Sequence, residues 1–502
     1  MCHLSIKFAD AAGPDRAEGR ARSALTDTDR NGRHPLTFQG YSVPSAHPPE
    51  KDIIVRRTKI SARLCTIALA ASALTAGSAT AQTIALTGVR LIDGRGGASV
   101  DDATIVIANG RIVAAGKVAV PAGADRRDYR GRTVLPGFVS DHSHVGQVSG
   151  TETGAKNYTR ANIVAQLAQY RRYGVTTVTA LGNNGPAFVG IRADAHAGRI
   201  DGADLFGVMQ GIGVPNGAPP QAMLKVGPDQ LFRPSTPEDA RKAVAMMAAE
   251  KTDLVKLWLD DFGGSVPVKM SPAIYRAVIA EAHARGLRVA AHIHDLADAE
   301  AIVAAGADII AHGIRDTPVP PAFVATLKAK GIWYIPTLQL DEATFAWADR
   351  APWTQTPFAR AALSPALAQQ VDDPAWRAKI LADPKTADAR KSLAMNLRNL
   401  KTLYDAGVKI GFGTDSGASA VRVPGIAEHR ELALMVEAGL TPAQALRVAT
   451  AAGADLLGLR DRGVIVAGTR ADLLVVDGDP SRSIADVDKV LETWVAGRAA
   501  PF

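Results

Sequence analysis

Histidine, lysine and aspartate residues that could bind metal ions recur along the middle of the chain. They lie in five short apolar segments, as His142 with His144, Lys256, His292 with His294, His312, and Asp415. Neutral imidazole and carboxylate are ligands that suit Zn²⁺, and two such ions roughly 3.5–4 Å apart can share one hydroxide. The i, i+2 spacing of His142 and His144 places both imidazoles on one face of an extended strand. These residue types therefore predict metal-dependent hydrolytic chemistry.

Eight apolar segments are predicted to be the strands that position these residues. They span residues 133–144, 174–182, 204–211, 253–261, 287–295, 307–316, 332–340 and 408–417. Helical segments separate most of them, and one helix is predicted to open at Ser235-Thr236-Pro237, with an N-cap followed by proline. Strict alternation of strands and helices implies a parallel sheet in an α/β fold. Eight repeats over roughly 300 residues imply a closed (β/α)8 TIM barrel.

Every candidate ligand lies near the C-terminal end of its predicted strand, which is where barrel enzymes place their chemistry. Each has a plainer explanation when taken alone. The two histidines of the H-x-H pair can be packed or solvated, Lys256 can extend to the surface, His312 can be a core residue and Asp415 a turn residue. These separate explanations would have to hold for all five segments, each at the C-terminal end of a strand and in the order of the barrel. One shared site is therefore favoured.

Short β-rich segments near both ends of the chain predict a second, smaller domain. They lie in residues 82–133 and 461–502, and the economical arrangement is one small β-sandwich built from both. The barrel then occupies residues 134–460. Residues 1–81 are predicted to be an upstream segment and a signal peptide.

The N-terminal region has the pattern of a secretory signal peptide. Basic residues in 56–59 precede the apolar run 64–76 and an A-x-A site that ends at Ala81. This predicts cleavage after Ala81 and a periplasmic or secreted protein. The apolar run is too short for a stable membrane span, and a buried helix is the alternative. Residues 1–54 are polar and precede this pattern, which would be explained if translation begins near Val55.

Composition excludes several classes of protein. The 502-residue chain is 47% hydrophobic and 21% charged, which is ordinary for a globular protein. Much of the net charge of +7 lies in the first 64 residues, and no basic stripe follows, so nucleic-acid binding is not expected. Cys2 and Cys65 are the only cysteines and both precede the predicted cleavage site. The mature chain is therefore expected to have no disulfide and no thiolate ligand.

Two motifs resemble the amidohydrolase superfamily. The stretch VLPGFVSDHSH is similar to the V-x-P-G-x-x-D-x-H-x-H signature that opens its barrel, and Gly468 to Asp477 resemble its closing G-x-x-A-D-L-L-V-V-D strands. The resemblance covers about residues 83–499. The segments VKLWLDD, AHIHDLADA and AHGIRD look most like the imidazolonepropionase-like and Xaa-Pro dipeptidase-like branch.

The resemblance implies a role for each candidate residue in a site with two divalent ions, Zn²⁺ or alternatively Mn²⁺ or Co²⁺. His142, His144 and Asp415 would bind the first ion, and His292 and His312 the second. Lys256, carbamylated by CO₂, would bridge both. Asp415 would also be the catalytic base, moving a proton from water to the leaving nitrogen.

Two further residues are predicted to contact substrate. Arg315 follows His312 and could bind a carboxylate, although an ion pair with Asp316 or another barrel acid explains it equally well. His294 is interpreted as a group beside the ligands or against the substrate.

The sequence predicts an enzyme that cleaves an amide or peptide-like C–N bond of a small molecule or dipeptide through a metal-activated hydroxide. The long segments 211–235 and 341–385 are predicted to be loops that set selectivity. A lactonase or ester hydrolase on the same site is one alternative, and a non-catalytic metal-binding barrel is another. A homo-oligomer is left open.

Overall fold

The computed structural model describes residues 82–502. The predicted signal peptide therefore lies outside the described residues. Strands β1 to β18 are, in order, Ile84–Leu91, Val100–Ala108, Arg111–Gly116, Asp125–Asp128, Thr133–Pro136, Phe138–Ser143, Val148–Ser149, Glu152–Thr153, Val175–Leu181, Asp204–Val208, Val255–Trp258, Val289–His292, Ile309–Ile310, Trp333–Tyr334, Lys409–Ile410, Leu473–Val476, Val490–Val495 and Arg498–Pro501.

Helices occupy most of the chain between the parallel strands. Helices α1 to α16 are, in order, Arg160–Arg172, Ala187–His196, Gln221–Leu224, Pro237–Ala249, Pro272–Ala284, Leu296–Ala305, Pro321–Lys330, Leu338–Glu342, Ala346–Asp349, Pro357–Arg360, Pro365–Asp372, Pro374–Ala382, Pro384–Asp405, Ile426–Glu437, Pro442–Arg447 and Gly453–Leu457. No helix among these described residues is long and apolar enough to cross a membrane. The chain is an α/β protein, as predicted.

Strands from both ends of the described chain pair in one mixed sheet. Its order is β18-β17-β16-β5-β1-β2-β3, and β4 also pairs with β1. One face covers an apolar cluster of its own around the fully buried Trp494. Because β5 pairs with β1 and β16, residues 134–136 lie in this sheet, and the predicted domain boundary at 133/134 falls inside β5. The single strand predicted over 133–144 is therefore two strands, divided at Gly137.

Two parallel sheets carry the candidate ligands. One has the order β10-β9-β6 and the other β11-β12-β13-β14-β15. Parallel bridges continue the hydrogen bonding at both edges, between Ile212 and Leu257 and between Ser143 and Ser416. All residues of β6, β9, β11 and β12 are buried, as expected for parallel strands covered on both faces.

Local sequence signals set the helix ends. The Thr236 side chain accepts a hydrogen bond from Asp239 N and Pro237 follows, so the predicted N-terminus of α4 is confirmed. Helices α6 and α7 end at Gly306 and Gly331, whose φ angles of 106° and 65° suit glycine.

Short helices fill much of the segment predicted as a loop over residues 341–385. Helices α10, α11 and α12 lie within it, and each begins at a proline. The side chain of the residue before each proline caps the helix, as Thr356, Ser364 and Asp373 do. The T-P, S-P and D-P pairs are the sequence signal for these helices.

Candidate metal centre

Three of the predicted ligands come together at the ends of the parallel strands. His142, His312 and Asp415 each offer one ligand atom, and these atoms lie within 4.8 Å of one another. All three residues are buried. His142 lies in β6, His312 two residues after β13 and Asp415 five residues after β15. The topology thus joins residues that are far apart in sequence.

Hydrogen bonds fix the orientation of the H-x-H pair. His142 Nδ1 lies 2.6 Å from Ala311 O, and His144 Nδ1 lies 3.2 Å from Gly182 O. Both Nε2 atoms therefore face Asp415, whose Oδ1 is 3.3 Å from His142 and 3.1 Å from His144. Burial, together with the charge of Lys256, lowers the pKa of His142 to about 3, so its imidazole is neutral at physiological pH and able to bind a metal ion.

The other two predicted histidine ligands pack edge to face nearby. The ring centroids of His292 and His312 are 4.2 Å apart, and Phe262 stacks on His292 at 4.7 Å. His312 Nδ1 is 3.0 Å from Thr337 Oγ1, and His292 Nε2 is 3.5 Å from Asp260 Oδ2. Burial lowers the pKa of both histidines.

Lys256 is fully buried in β11 beside these groups. Its Nζ has no hydrogen-bond partner within residues 82–502 and lies 5.3 Å from the Trp258 ring. Burial lowers the pKa of Lys256 to about 7, against the opposing charges of Asp415 and Asp260. An uncompensated buried ammonium is costly, so this environment favours the neutral amine.

The buried donor set fits divalent ions. His142 Nε2, His312 Nε2 and Asp260 Oδ1 are also buried without a hydrogen-bond partner in the described part of the chain. Buried polar groups normally have partners, so their convergence indicates that another species completes the site. Imidazole nitrogens and carboxylate oxygens suit Zn²⁺ and similar cations.

Asp415 has two distinguishing features. Its φ of 58° is left-handed, which is uncommon for a residue other than glycine. Its Oδ2 forms an ion pair with Arg422. Burial alone would raise the pKa of Asp415, but Arg422 and the two imidazoles outweigh burial and hold the pKa well below its ordinary value. Asp415 is therefore an anion, able to accept a proton or bind a cation.

A cavity of 460 Å³ opens above these residues. Its charged walls include Arg315, whose guanidinium donates to Asp341 Oδ1 at 3.0 Å, and His294, whose Nδ1 is 2.6 Å from Asp295. Arg315 is therefore one half of an ion pair, as the alternative interpretation of the sequence expected. Its partner is Asp341 rather than Asp316. The apolar wall is formed by Met223, Leu224, Val226, Trp258 and Phe262.

A model of the amidohydrolase family matches residues 133–500 of the chain. The chain belongs to the amidohydrolase family. The predicted superfamily and the predicted class of enzyme, an amidohydrolase, are confirmed by this match. It spans the strands that carry every candidate ligand.

Relatives of this amidohydrolase include imidazolonepropionases and 5-methylthioadenosine/S-adenosylhomocysteine deaminases. It is 26% identical to an imidazolonepropionase of Deinococcus radiodurans over 424 residues, which are 79% of this chain and 92% of that protein. With an imidazolonepropionase of Deinococcus deserti it shares 38% identity over 101 residues, or 19% of this chain and 25% of that one. The solved structure of a Xaa-Pro dipeptidase with bound methionine covers 84% of this chain and 100% of its own, at a TM-score of 0.66 and 22% identity. That likeness shows a shared fold.

Four residues of the site were not predicted as site residues from the sequence. Asp260 and Thr337 contact His292 and His312, whereas Asp341 and Arg422 contact Arg315 and Asp415. The position of Asp260 four residues after Lys256, at the end of the same strand segment, is the signal that could have identified it. The other three lie in connections whose path the sequence does not reveal.

Proposed function

We propose that this amidohydrolase cleaves an amide or peptide-like C–N bond in a small molecule or dipeptide, using two divalent metal ions. The convergence of His142, His312 and Asp415 on one point is the observation that carries the proposal. Beside them lies Lys256, whose Nζ has no hydrogen-bond partner in the described part of the chain. A non-catalytic metal site would not need the large adjoining cavity with both charged and apolar walls.

The two parallel sheets are proposed to form one closed (β/α)8 barrel. Hydrogen bonds from Trp258 N to Ile212 O and from His144 N to Ser416 O support closure at the two edges. The mixed sheet is proposed to curl into a small sandwich around Trp494. This arrangement would place the metal centre at the C-terminal ends of the barrel strands, the usual position of catalysis in this fold.

The residues are assigned as the family resemblance implies. His142, His144 and Asp415 would hold one ion, His292 and His312 the other, and carbamylated Lys256 would bridge them. Zn²⁺ is the preferred ion, with Mn²⁺ or Co²⁺ as alternatives. Bound divalent ions would lower the pKa of water and polarise the scissile carbonyl.

The chain's own groups would then guide the proton. The anionic Asp415 carboxylate accepts a proton from the attacking water and delivers it to the leaving nitrogen. Trp258 and Phe262 offer a surface for an apolar substituent in the cavity beside the site. Relatives named imidazolonepropionase and Xaa-Pro dipeptidase support cyclic amides and Xaa-Pro dipeptides as the substrate classes to test.

Removal of the metal ions is expected to abolish hydrolysis. Dialysis against a strong chelator should leave the fold intact and activity at background, and Zn²⁺, Mn²⁺ or Co²⁺ should restore part of it. The assay uses a panel of Xaa-Pro dipeptides, N-acyl amino acids and lactones. Turnover of lactones alone would favour the ester-type alternative, and full activity of a preparation shown to be metal-free would refute the proposal.

Arg315→Met tests the predicted contact with a substrate carboxylate. If Arg315 binds that group, KM should rise much more for carboxylate-bearing substrates than for their amides. Its guanidinium is already bonded to Asp341, so Asp341→Asn is the matched control for the ion pair. Equal effects of Arg315→Met on acids and amides would remove the role and leave Arg315 as a partner of Asp341. His294 is proposed as a neighbouring substrate contact.

Export is proposed from the N-terminal sequence pattern. Cleavage after Ala81 would release a periplasmic or secreted enzyme that begins at Gln82. N-terminal sequencing of the protein purified from its native source should find this residue. A retained segment before Gln82 would contradict cleavage at this site.

A further inference from the structure

Two turns beside the metal centre have left-handed backbone conformations that are unfavourable for the residues found there. Thr337 has a φ of 48° and Asp415 a φ of 58°. The left-handed region is a genuine outlier for a β-branched threonine, and such strain persists only where surrounding contacts hold it. Both turns present site groups, since Thr337 Oγ1 bonds to His312 and Asp415 is itself a candidate ligand.

The carboxylate of Glu431 holds the first turn. Its Oε1 accepts a hydrogen bond from Leu338 N at 2.9 Å, and its Oε2 accepts one from Gln339 N at 2.7 Å. These amides follow Thr337 directly and open α8, where N–H groups have no partner within the helix. Glu431 therefore fixes the backbone that aims the Thr337 hydroxyl at His312 Nδ1. That contact leaves His312 Nε2 buried and without a hydrogen-bond partner in residues 82–502.

The carboxylate of Glu428 holds the second turn. Its Oε1 accepts hydrogen bonds from the hydroxyls of Thr414 at 2.8 Å and Ser416 at 2.7 Å, the residues on either side of Asp415. The Ser140 hydroxyl in β6 donates to the same oxygen at 3.2 Å. Glu428 thus ties the Asp415 turn to the strand that carries His142.

Both glutamates lie on one face of α14, three residues apart, and both are fully buried. Neither has a lysine, arginine or histidine within ion-pair distance in residues 82–502. Burial raises the pKa of both groups, that of Glu431 to about 8, and the hydrogen bonds from their donors oppose this shift.

We propose that α14 supplies two positioning carboxylates, with Glu431 aligning His312 through Thr337 and Glu428 aligning Asp415 through Thr414 and Ser416. One helix would thereby set the relative position of ligands assigned to different metal ions. The inference rests on the proposed metal site.

Glu431→Gln and Glu428→Gln test the inference, with Glu437→Gln as control. Each glutamine keeps the volume but replaces one accepting oxygen with an NH₂ group, which cannot accept a hydrogen bond. At position 431 this removes the acceptor of Leu338 N or Gln339 N. At position 428 it removes the acceptor either of Gly425 N or of the Thr414 and Ser416 hydroxyls. Glu437 is the exposed glutamate at the end of the same helix. Hydrogen exchange should accelerate at 337–342 in Glu431→Gln and at 412–418 in Glu428→Gln, and at neither segment in Glu437→Gln.

Metal affinity separates positioning from simple stabilisation. Chelator titration of the folded Glu431→Gln protein should show roughly 10- to 100-fold weaker binding of one ion, typical of loss of a group that orients a ligand. Glu428→Gln should lower kcat with little change in KM. Should a glutamine variant not fold, Thr337→Val and Ser416→Ala remove only the relayed hydroxyls, and Thr337→Val should weaken metal binding in the same way.

Unchanged metal affinity in both Glu431→Gln and Thr337→Val, with an unchanged kcat in Glu428→Gln and Ser416→Ala, would overturn the inference. If the parent protein binds no metal, the proposed function fails instead. In that case the exchange rates still decide whether the two carboxylates hold their turns.

Discussion

Asp415→Asn is expected to lower kcat by about 10²–10⁴-fold, the usual contribution of a general base. The substitution keeps the shape of the side chain but removes its charge and its ability to accept a proton. Asparagine tolerates the left-handed conformation that Asp415 adopts, so the turn should persist. The loss would then report on chemistry and metal binding rather than on folding.

The measurement is a pair of steady-state assays with metal content determined on the same samples. Asp388→Asn is the matched control because Asp388 is an exposed carboxylate on the same cavity wall. We expect this control to stay close to the parent. A metal-loaded Asp415→Asn enzyme within a few-fold of the parent would show that another group moves the proton.

The candidate ligands could be predicted because their signal is local. His142 lies in β6 and His144 directly after it, with a two-residue spacing, and Lys256 and His292 likewise lie within buried strands. Parallel strands that alternate with helices end at the same edge, so residues distant in sequence converge without further information. Three of the five segments thus needed only correct strand positions, whereas His312 and Asp415 lie in the connections after β13 and β15.

The supporting contacts could not be predicted because they join separate connections. Thr337 meets His312, and Asp341 meets Arg315, only after the segments following β13 and β14 have packed together. The meaning of the proline and glycine at the junction of β5 and β6 was also ambiguous in the sequence. The apolar run across Pro136 and Gly137 resembles one strand, although its two halves pair in different sheets.

Arg422 shows the limit of pattern-based reasoning most directly. It lies seven residues after Asp415, in a connection of mostly small and apolar residues whose sequence does not suggest an ion pair. The pair forms because the chain turns back after the left-handed Asp415, and Gly417 N donates to Arg422 O at 2.9 Å. Backbone geometry, not residue spacing, therefore brings a cation to the proposed catalytic base.

Lys256→Ala is expected to remove both bound metal and activity, because Lys256 is proposed to bridge the ions as a carbamate. An ordinary lysine with a pKa near 10.4 would be a cation and would be repelled by two divalent ions in a buried site. Burial lowers the pKa of Lys256 to about 7, so near neutral pH much of it is the uncharged amine. That amine nitrogen can form a bond to the carbon of CO₂ and release a proton, which gives an anion with one oxygen for each ion.

The pH dependence of CO₂ uptake has a definite sign. Only the neutral amine reacts, so uptake of ¹³CO₂ by the metal-free protein should increase as pH rises from about 6 to 8, through the lowered pKa. The carbamate carbon would be followed by NMR, with Lys256→Ala as the blank. No carbamate signal in parent protein that is fully loaded with metal would refute the bridge.

Chemical rescue gives the sharper test of the bridging role. Short carboxylates should restore part of the metal content and activity of Lys256→Ala, because they can supply the two missing oxygens. Lys385→Ala is the matched control, since Lys385 is an exposed lysine on the wall of the same cavity and should behave like the parent. If Lys256→Ala keeps two metal ions and full activity without added carboxylate, the bridging ligand must be another residue. Asp260 would then be the first residue to test, because its buried Oδ1 has no hydrogen-bond partner in residues 82–502.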